Sequence, residues 1–420
     1  MDHFVDKGGV LHCEDVSLED IAARVGTPAY VYSTATLERH VQVFRDALAP
    51  RDVLIAFAVK ANSNIAVLAT LARAGAGMDT VSAGEIKRAL KAGATPDKII
   101  FSGVGKTEDE LAFAIETGIH QINVESSAEL GMLEDVAARL NARPGIAIRV
   151  NPNIGAGGHA KIATGKSEDK FGVSLEEAMQ LYARAAAHKH LDIKGLAIHI
   201  GSQIKDLGPL EAAFTKLRKL AETLRRQGLP LTQLDLGGGL GVPYFHEAEP
   251  PSPAEYGAMV KRVFEGMDVK LAFEPGRLIS GNAGVLLTRV IRMQERPERR
   301  MLVVDAAMND LIRPAMYEAY HDMKPVRAPA ANAPRKPFDI VGPICETGDT
   351  FAKDRALTPL APGDLVAFLT AGAYGAVMSS TYNSRTLVPE VLVRGGKFEI
   401  VRRPFDIDAQ MALEKIPDWA

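Results

Sequence analysis

The sequence predicts an α/β protein: a TIM-like (β/α)8 barrel followed by a β-rich C-terminal domain. Three observations carry this prediction. Between about residues 53 and 277, eight short apolar, β-branched runs alternate with helical patterns, as consecutive βα units do. Several of the intervening helices open on a hydroxyl residue with glutamate three places later. After residue 281 the texture changes to β-type runs separated by Pro- and Gly-rich turns.

The eight runs are VLIAFAVK (53–60), GMDTVS (77–82), KIIFSGV (98–104), HQINVES (120–126), GIAIRVNP (145–152), IKGLAIHIGS (193–202), QLDLGGG (233–239) and KLAFEPGR (270–277). Ser82-x-x-Glu85, Thr107-x-x-Glu110, Ser126-x-x-Glu129 and Ser174-x-x-Glu177 each fit a capping box, in which hydroxyl and carboxylate satisfy orphan N–H groups reciprocally. Gly93 and Gly118 are expected as left-handed stops after EIKRALKAG and LAFAIETG. The later runs are GVLLTRVIRM, RMLVVDAA, KPFDIVGPI, DLVAFLTAG and PEVLVRGGKFEIVRR, with VRAPAANAPRK (326–336) as a surface loop. The expected boundaries are 34–280 for the barrel and 281–420 for the β-rich domain. Residues 1–33, with TPAYVYS as a strand, could join either and are assigned to the second.

Composition narrows the function. With 49 Lys and Arg against 52 Asp and Glu the formal charge is −3, which argues against nucleic acid or an anionic membrane as the partner and favours a small molecule. Hydrophobic residues make up 47% and charged residues 24%, so the chain is expected to fold throughout. Two cysteines, Cys13 and Cys345, make no disulfide framework, and the N-terminus is too polar for a secretory signal, so a reducing cytoplasm is expected. No run approaches the ~18 apolar residues of a membrane span.

In a parallel barrel the chemistry gathers where the strands end, because the βα loops there form one rim. Those positions hold Lys60, Asp79, Glu125, Arg149, His199 with Ser202, Gly237 to Gly239, and Glu274 with Arg277. A lysine closing an apolar strand is partly desolvated, which favours the amine that attacks carbonyls; a snorkelling rim lysine would occupy the same place. The glycines of LDLGGGLG can let backbone N–H groups close on an anion, or make only a tight turn. His199 suits a flat aromatic contact or a structural role. Glu274 brings a carboxylate to the end of an apolar strand and so needs a partner. No pair has metal-ligand spacing, and no metal is expected.

Taken together these segments resemble the fold-type III, pyridoxal-phosphate-dependent decarboxylases, and within them the branch acting on diaminopimelate. The resemblance rests on FAVKAN (57–62), DTVSAGE (79–85), INVES (122–126), the NPN to GHAKIATGKSEDKFG segment (151–172), HIGSQI (199–204), DLGGGLG (235–241) and EPGR (274–277). RPAMYEAYH (313–321), GPICETGD (342–349), AGAYG (371–375) and SSTYNSR (379–385) extend it through the second domain. It implies an alanine-racemase-like barrel in which Lys60 carries pyridoxal phosphate, His199 stacks on its ring and Glu274 pairs with the ring nitrogen. Gly237, Gly238, Gly239, Ser202, the backbone around Gly276 and the Tyr374 hydroxyl would hold the phosphate, with Asp79 nearby. Arg277, Arg313 and Tyr317 match substrate-binding positions. Cys345 and Glu346 would enter from the partner subunit of a homodimer with shared sites, Cys345 or Lys60 returning the proton to Cα.

The implied reaction is decarboxylation of meso-2,6-diaminopimelate to L-lysine and CO2, the last step of lysine biosynthesis. Arginines suit the distal carboxylate and Glu346 the distal ammonium. Decarboxylases of ornithine, arginine or another basic amino acid, an amino-acid racemase and a non-catalytic pyridoxal-phosphate carrier share the barrel and are the alternatives.

Overall fold

The computed structural model describes residues 3–155, 164–165, 169–244, 249–330 and 332–419. The chain divides into two compact units. One takes Glu38–Pro243 and Ala248–Ile279; the other takes Met1–Leu37, Tyr244–Glu247 and Ser280–Ala420.

The first unit is a closed barrel of eight parallel strands: Val53–Ala58, Gly77–Thr80, Ile99–Phe101, Gln121–Val124, Gly145–Val150, Asp192–Ile198, Gln233–Asp235 and Lys270–Phe273. They neighbour one another in chain order, and Leu271 pairs with Val53 to close the ring. All eight predicted runs are strands, but each strand stops before its run does. Lys60, Glu125, His199, Ser202, Gly237 to Gly239, Glu274 and Arg277 thus follow the strands, whereas Asp79 and Arg149 remain within theirs.

Helices cover the outside by burying one stripe each. In the helix Leu207–Arg226, Leu210, Phe214, Leu217, Ala221 and Leu224 are buried at helical spacing while Arg225 and Arg226 close the last turn. Each large apolar side chain on such a stripe contributes roughly 1.5–3 kcal/mol. Of the four predicted capping boxes only Thr107 with Glu110 closes in both directions. Ser82, Ser126 and Ser174 accept the expected N–H groups, but the carboxylates of Glu85 and Glu129 turn to the backbone N–H groups of Val81 and Glu125 instead. A further full box, Ser252 with Glu255, has a proline between its members. Gly93 and Gly118 both take positive φ past their helices, as predicted.

The second unit holds a nine-stranded sheet. Its main path runs Thr350–Leu357, Lys336–Val341, Arg300–Val304, Gly284–Glu295, Ala29–Ser33, Glu390–Arg394, Lys397–Arg402, and Leu365–Phe368 and Met323–Pro325 pair beside it. Strand Ala29–Ser33 lies between Gly284–Glu295, antiparallel, and Glu390–Arg394, parallel. Residues 4–17 form a small three-stranded sheet, and Leu11, Cys13, Leu18 and Ile21 pack with Val31, Val285, Leu287, Val391 and Val393. The N-terminal residues thus belong to the β-rich unit.

Two features of this unit escape a reading by hydrophobic alternation. Thr350–Leu357 buries only Phe351 and Leu357 and carries Lys353, Asp354 and Arg355 at exposed or half-buried places, so it reads as polar. The strands within residues 4–17 are too short to show a period. Among the described residues no helix is long and apolar enough to cross a membrane.

Candidate active site

The barrel strands deliver Lys60, Asp79, His199, Ser202, Gly237 to Gly239, Glu274, Gly276 and Arg277 to one end of the barrel. Lys60 lies in the 3-10 turn Val59–Ala61 just past the first strand, not in the strand itself. Its Nζ donates to Oδ2 of Asp79 at 2.9 Å; the lysine side chain is 37% exposed and the aspartate fully buried. Asp79 Oδ1 is buried with no hydrogen-bond partner among the described residues. The residue expected only to lie near the cofactor is thus hydrogen-bonded to the Lys60 amine.

Glu274 follows the eighth strand and is buried. Its Oε1 accepts from Ser102 Oγ and Asn123 Nδ2, both at 3.3 Å. Burial, with Asp235 and Asp79 nearby, pushes its carboxyl well above the ordinary range, while Lys60 opposes this. Asp235 is buried as well and is also raised by desolvation, although it accepts from Gly237 N–H at 3.0 Å and from Asn123 Nδ2 at 3.2 Å. Three buried carboxyl groups thus converge where Lys60 is the nearby cation.

His199 Nδ1 accepts the N–H of Gly238 at 3.1 Å. Burial, Arg149 and Lys60 hold the ring well below the usual imidazole range, so it is neutral. The glycines are required by space: a Cβ on Gly238 would come within 2.3 Å of the Glu274 carbonyl oxygen, and Gly237 has φ +62° with the Ile198 carbonyl as close. Beside them the Arg277 guanidinium, 5% exposed, donates to Ser202 Oγ from Nε at 3.3 Å and Nη2 at 3.2 Å. The Gly237 and Gly238 N–H groups are given to Asp235 and His199, so the hydroxyl and the buried guanidinium beside the glycine turn are the chemistry that suits an anion here.

Glu125 and Arg149, two further residues at strand ends, are spent on each other. Arg149 Nη1 meets Glu125 Oε1 at 2.7 Å, and the carboxylate also accepts the N–H groups of Gly103 and Gly172. Residues 156–163 and 166–168 of the 151–172 segment lie outside the described residues.

The other five site candidates belong to the β-rich unit. Arg313 and Tyr317 start and end the short helix Arg313–Tyr317. Arg313 is buried; its Nη1 lies 2.7 Å from His321 Nε2 and its guanidinium 4.7 Å from the centre of the Tyr244 ring. His321 Nδ1 faces the Leu369 carbonyl at 2.9 Å, which fixes the proton there and leaves Nε2 as the acceptor for Arg313. Cys345 and Glu346 are exposed on their loop; Asn383 Oδ1 accepts the Cys345 N–H at 2.9 Å, and Glu346 accepts the Tyr382 hydroxyl. Tyr374 is half-buried with φ +55°.

Sequence reasoning missed Ser102, Asn123 and Asp235 in the barrel and His321, Tyr244, Tyr382 and Asn383 around the other candidates. A signal was present for Asn123 and Asp235. In HQINVES and QLDLGGG the polar residues recur at every second place, the period that aims side chains at one face of a strand, here the barrel interior.

The arrangement fits pyridoxal phosphate. The carboxyl cluster offers a buried place for a cationic ring nitrogen, the unpartnered Asp79 Oδ1 an acceptor, the glycine turn with Ser202 and Arg277 a cradle for phosphate, and Lys60 an amine. Among the described residues no group of acidic, histidine or cysteine side chains is placed to hold a metal.

Fold and site together define a pyridoxal-dependent decarboxylase, and residues 34–281 match the family "Pyridoxal-dependent decarboxylase, pyridoxal binding domain". The chain is 48% identical to a diaminopimelate decarboxylase of Zymomonas mobilis, with 98% of each chain covered, and 50% identical to that of Pseudomonas aeruginosa, with 96% of each covered. Its fold superposes with TM-score 0.91 on the Helicobacter pylori diaminopimelate decarboxylase complexed with L-lysine, at 38% identity over 94% of this chain and 99% of that one. The chain belongs to the diaminopimelate decarboxylase family.

Proposed function

We propose that the chain decarboxylates meso-2,6-diaminopimelate to L-lysine and CO2, using pyridoxal 5'-phosphate held at Lys60 in the barrel unit. The observation that carries this reading is the buried Glu274, Asp235 and Asp79 cluster around the Lys60 amine, next to a glycine turn shaped for an anion. When bound, the cofactor supplies a sink for the electron pair left on Cα as CO2 departs. Glu274 would face the ring nitrogen and keep a proton there. His199, neutral, would lie against the ring without competing for that charge. Gly237 to Gly239, Ser202, the Gly276 backbone, Arg277 and Tyr374 would hold the phosphate. Asp79 orients the Lys60 amine for the exchange with the incoming amino group.

Arg313 with Arg277 and Tyr317 would bind the substrate's carboxylates, and Glu346 the distal ammonium. The His321 contact suits this role, because a guanidinium resting on a neutral imidazole keeps its full charge for a carboxylate. L-lysine in the Helicobacter pylori structure supports the product. Offering the purified protein meso-diaminopimelate, ornithine, arginine and lysine is expected to give CO2 from the first alone, with an equal amount of lysine. Release from another member of the panel would keep the cofactor reading and overturn the specificity.

We assign the working form to a homodimer with shared sites in a reducing cytoplasm. Exposure of Cys345 and Glu346 on the single chain supports a loop donated to a partner, and both cysteines stand outside any disulfide. Cys345→Ala is expected to bind cofactor normally and turn over poorly, through loss of the acid that returns the proton to Cα. Mixed with Lys60→Ala under subunit exchange it should recover up to about a quarter of wild-type activity, since half the dimers then carry one intact site. No recovery despite exchange would rule out shared sites.

A further inference from the structure

A file of polar side chains runs through the barrel interior toward Glu274, and nothing in the proposed chemistry uses it. His120 Nε2 lies 3.0 Å from Gln233 Oε1. Gln233 Nε2 donates to Gln121 Oε1 at 2.7 Å, and Gln121 Nε2 donates to Asn123 Oδ1 at 2.7 Å. Asn123 Nδ2 then reaches Asp235 Oδ2 at 3.2 Å and Glu274 Oε1 at 3.3 Å. Gln121 Nε2 adds a contact of 3.4 Å to Asp235 Oδ2. Gln121, Asn123, Gln233 and Asp235 are all buried, whereas His120 is half-buried just before the strand Gln121–Val124.

The direction of the file matters more than its existence. Because Gln233 spends its amide N–H on Gln121, its oxygen is the acceptor for His120, which therefore donates from Nε2. Every link from His120 onward has its donor end turned toward the carboxyl pair. Aligned dipoles of this kind favour negative charge at the end they point to, and in a low-dielectric interior each polarises the next. A barrel core that needed only volume would be filled by Leu, Ile or Val, as in the apolar cluster of Ala56, Ile100 and Ala272 with Leu54.

We propose that His120, Gln233, Gln121 and Asn123 are positioning residues whose aligned hydrogen bonds favour ionisation of the Asp235–Glu274 pair, and with it binding of the cationic ring of pyridoxal phosphate. This rests on the cofactor reading given above. The charged groups facing Glu274 are Asp235 and Asp79, which oppose its ionisation, Asp235 also through a side-chain hydrogen bond with Glu274, and Lys60, which favours it. The file thus works with Lys60 and against burial.

The test uses Gln121→Met and Gln233→Met, which keep length while removing the hydrogen bonds, and His120→Phe at the more accessible end. In the cofactor-free proteins the protonated carboxyl band is followed by infrared difference titration, with Glu274→Gln to assign it. In Gln121→Met the Glu274 carboxyl is expected to stay protonated to about one pH unit higher, and the Kd for pyridoxal phosphate to rise about tenfold. The effect should decline in order from Gln121 to Gln233 to His120, a gradation that loss of packing would not produce. An unchanged titration in the folded variants overturns the proposal; where a methionine variant does not fold, the same comparison is made with His120→Phe, and no shift there overturns it equally. Wild-type protein that takes up no pyridoxal phosphate would overturn the cofactor reading alone, because the carboxyl titration is made without cofactor.

Discussion

Lys60→Ala is expected to lower lysine formation from meso-diaminopimelate by about three orders of magnitude or more and to abolish the retained yellow colour of bound cofactor after dialysis. Lys106, a lysine of another βα turn, is buried and committed to the carbonyls of Gly103 and Asn123 and to Glu129, so it is not placed to substitute. The alanine variant also leaves Asp79 without its donor, and removing one member of such a pair costs about 3–5 kcal/mol when both are buried, less here because Lys60 is partly exposed. Lys60→Arg separates the two effects. It keeps a cation beside Asp79, so its melting temperature should lie near wild type, yet it should remain inactive and colourless. Retained colour in either variant would remove Lys60 from its assigned role.

Glu274→Gln is expected to lower turnover by about a hundredfold or more with a smaller change in KM, since an amide cannot keep a proton on the ring nitrogen. The same substitution has a thermodynamic signature in the cofactor-free protein. The Glu274 carboxyl is raised in the folded state by burial and by Asp235 and Asp79. Its contribution to stability is therefore fully present below the unfolded-state value of about 4.3 and is lost as pH rises through the raised value. Wild-type cofactor-free protein should lose stability across that range, and Glu274→Gln should lose less, the remainder coming from Asp235, which is raised in the same direction. A thermal-denaturation series across pH, made without cofactor, checks this. Equal slopes for the two proteins would contradict the assigned ionisation.

Most of the barrel, and the rim positions that make up the candidate site, were legible because the two signals are of different kinds and coincide. An apolar run interrupted at its end by lysine, glutamate or three glycines marks both a strand and a place where chemistry is exposed, which is how Lys60, Glu274 and Gly237 to Gly239 stand out. Partnership is less legible. Nothing in the local sequence says that Glu125 is spent on Arg149, that Arg277 rests on Ser202, or that Arg313 meets His321, because those contacts join residues from 8 to 75 positions apart. Three of the four capping boxes closed in only one direction for the same reason. Ser126 and Glu129 have the right spacing, but Lys106 and the Glu125 N–H claim the carboxylate once the strands come together. The polar strand at 350–357 was missed because a sheet edge needs so little burial that its residues obey no apolar alternation.

The place of Ala29–Ser33 in the middle of its sheet bears on how the chain is made. Its neighbours on either side are Gly284–Glu295 and Glu390–Arg394, so one partner strand leaves the ribosome some 250 residues later and the other some 360. At about 5–20 residues per second, this apolar strand waits on the order of tens of seconds with both edges unpaired. The barrel residues, 38–279 apart from a short excursion, emerge in that interval and make their ladders in chain order. Synthesis thus favours completing the barrel first, and a chain stalled before residue 390 would leave the edge of Ala29–Ser33 open to pairing with another molecule.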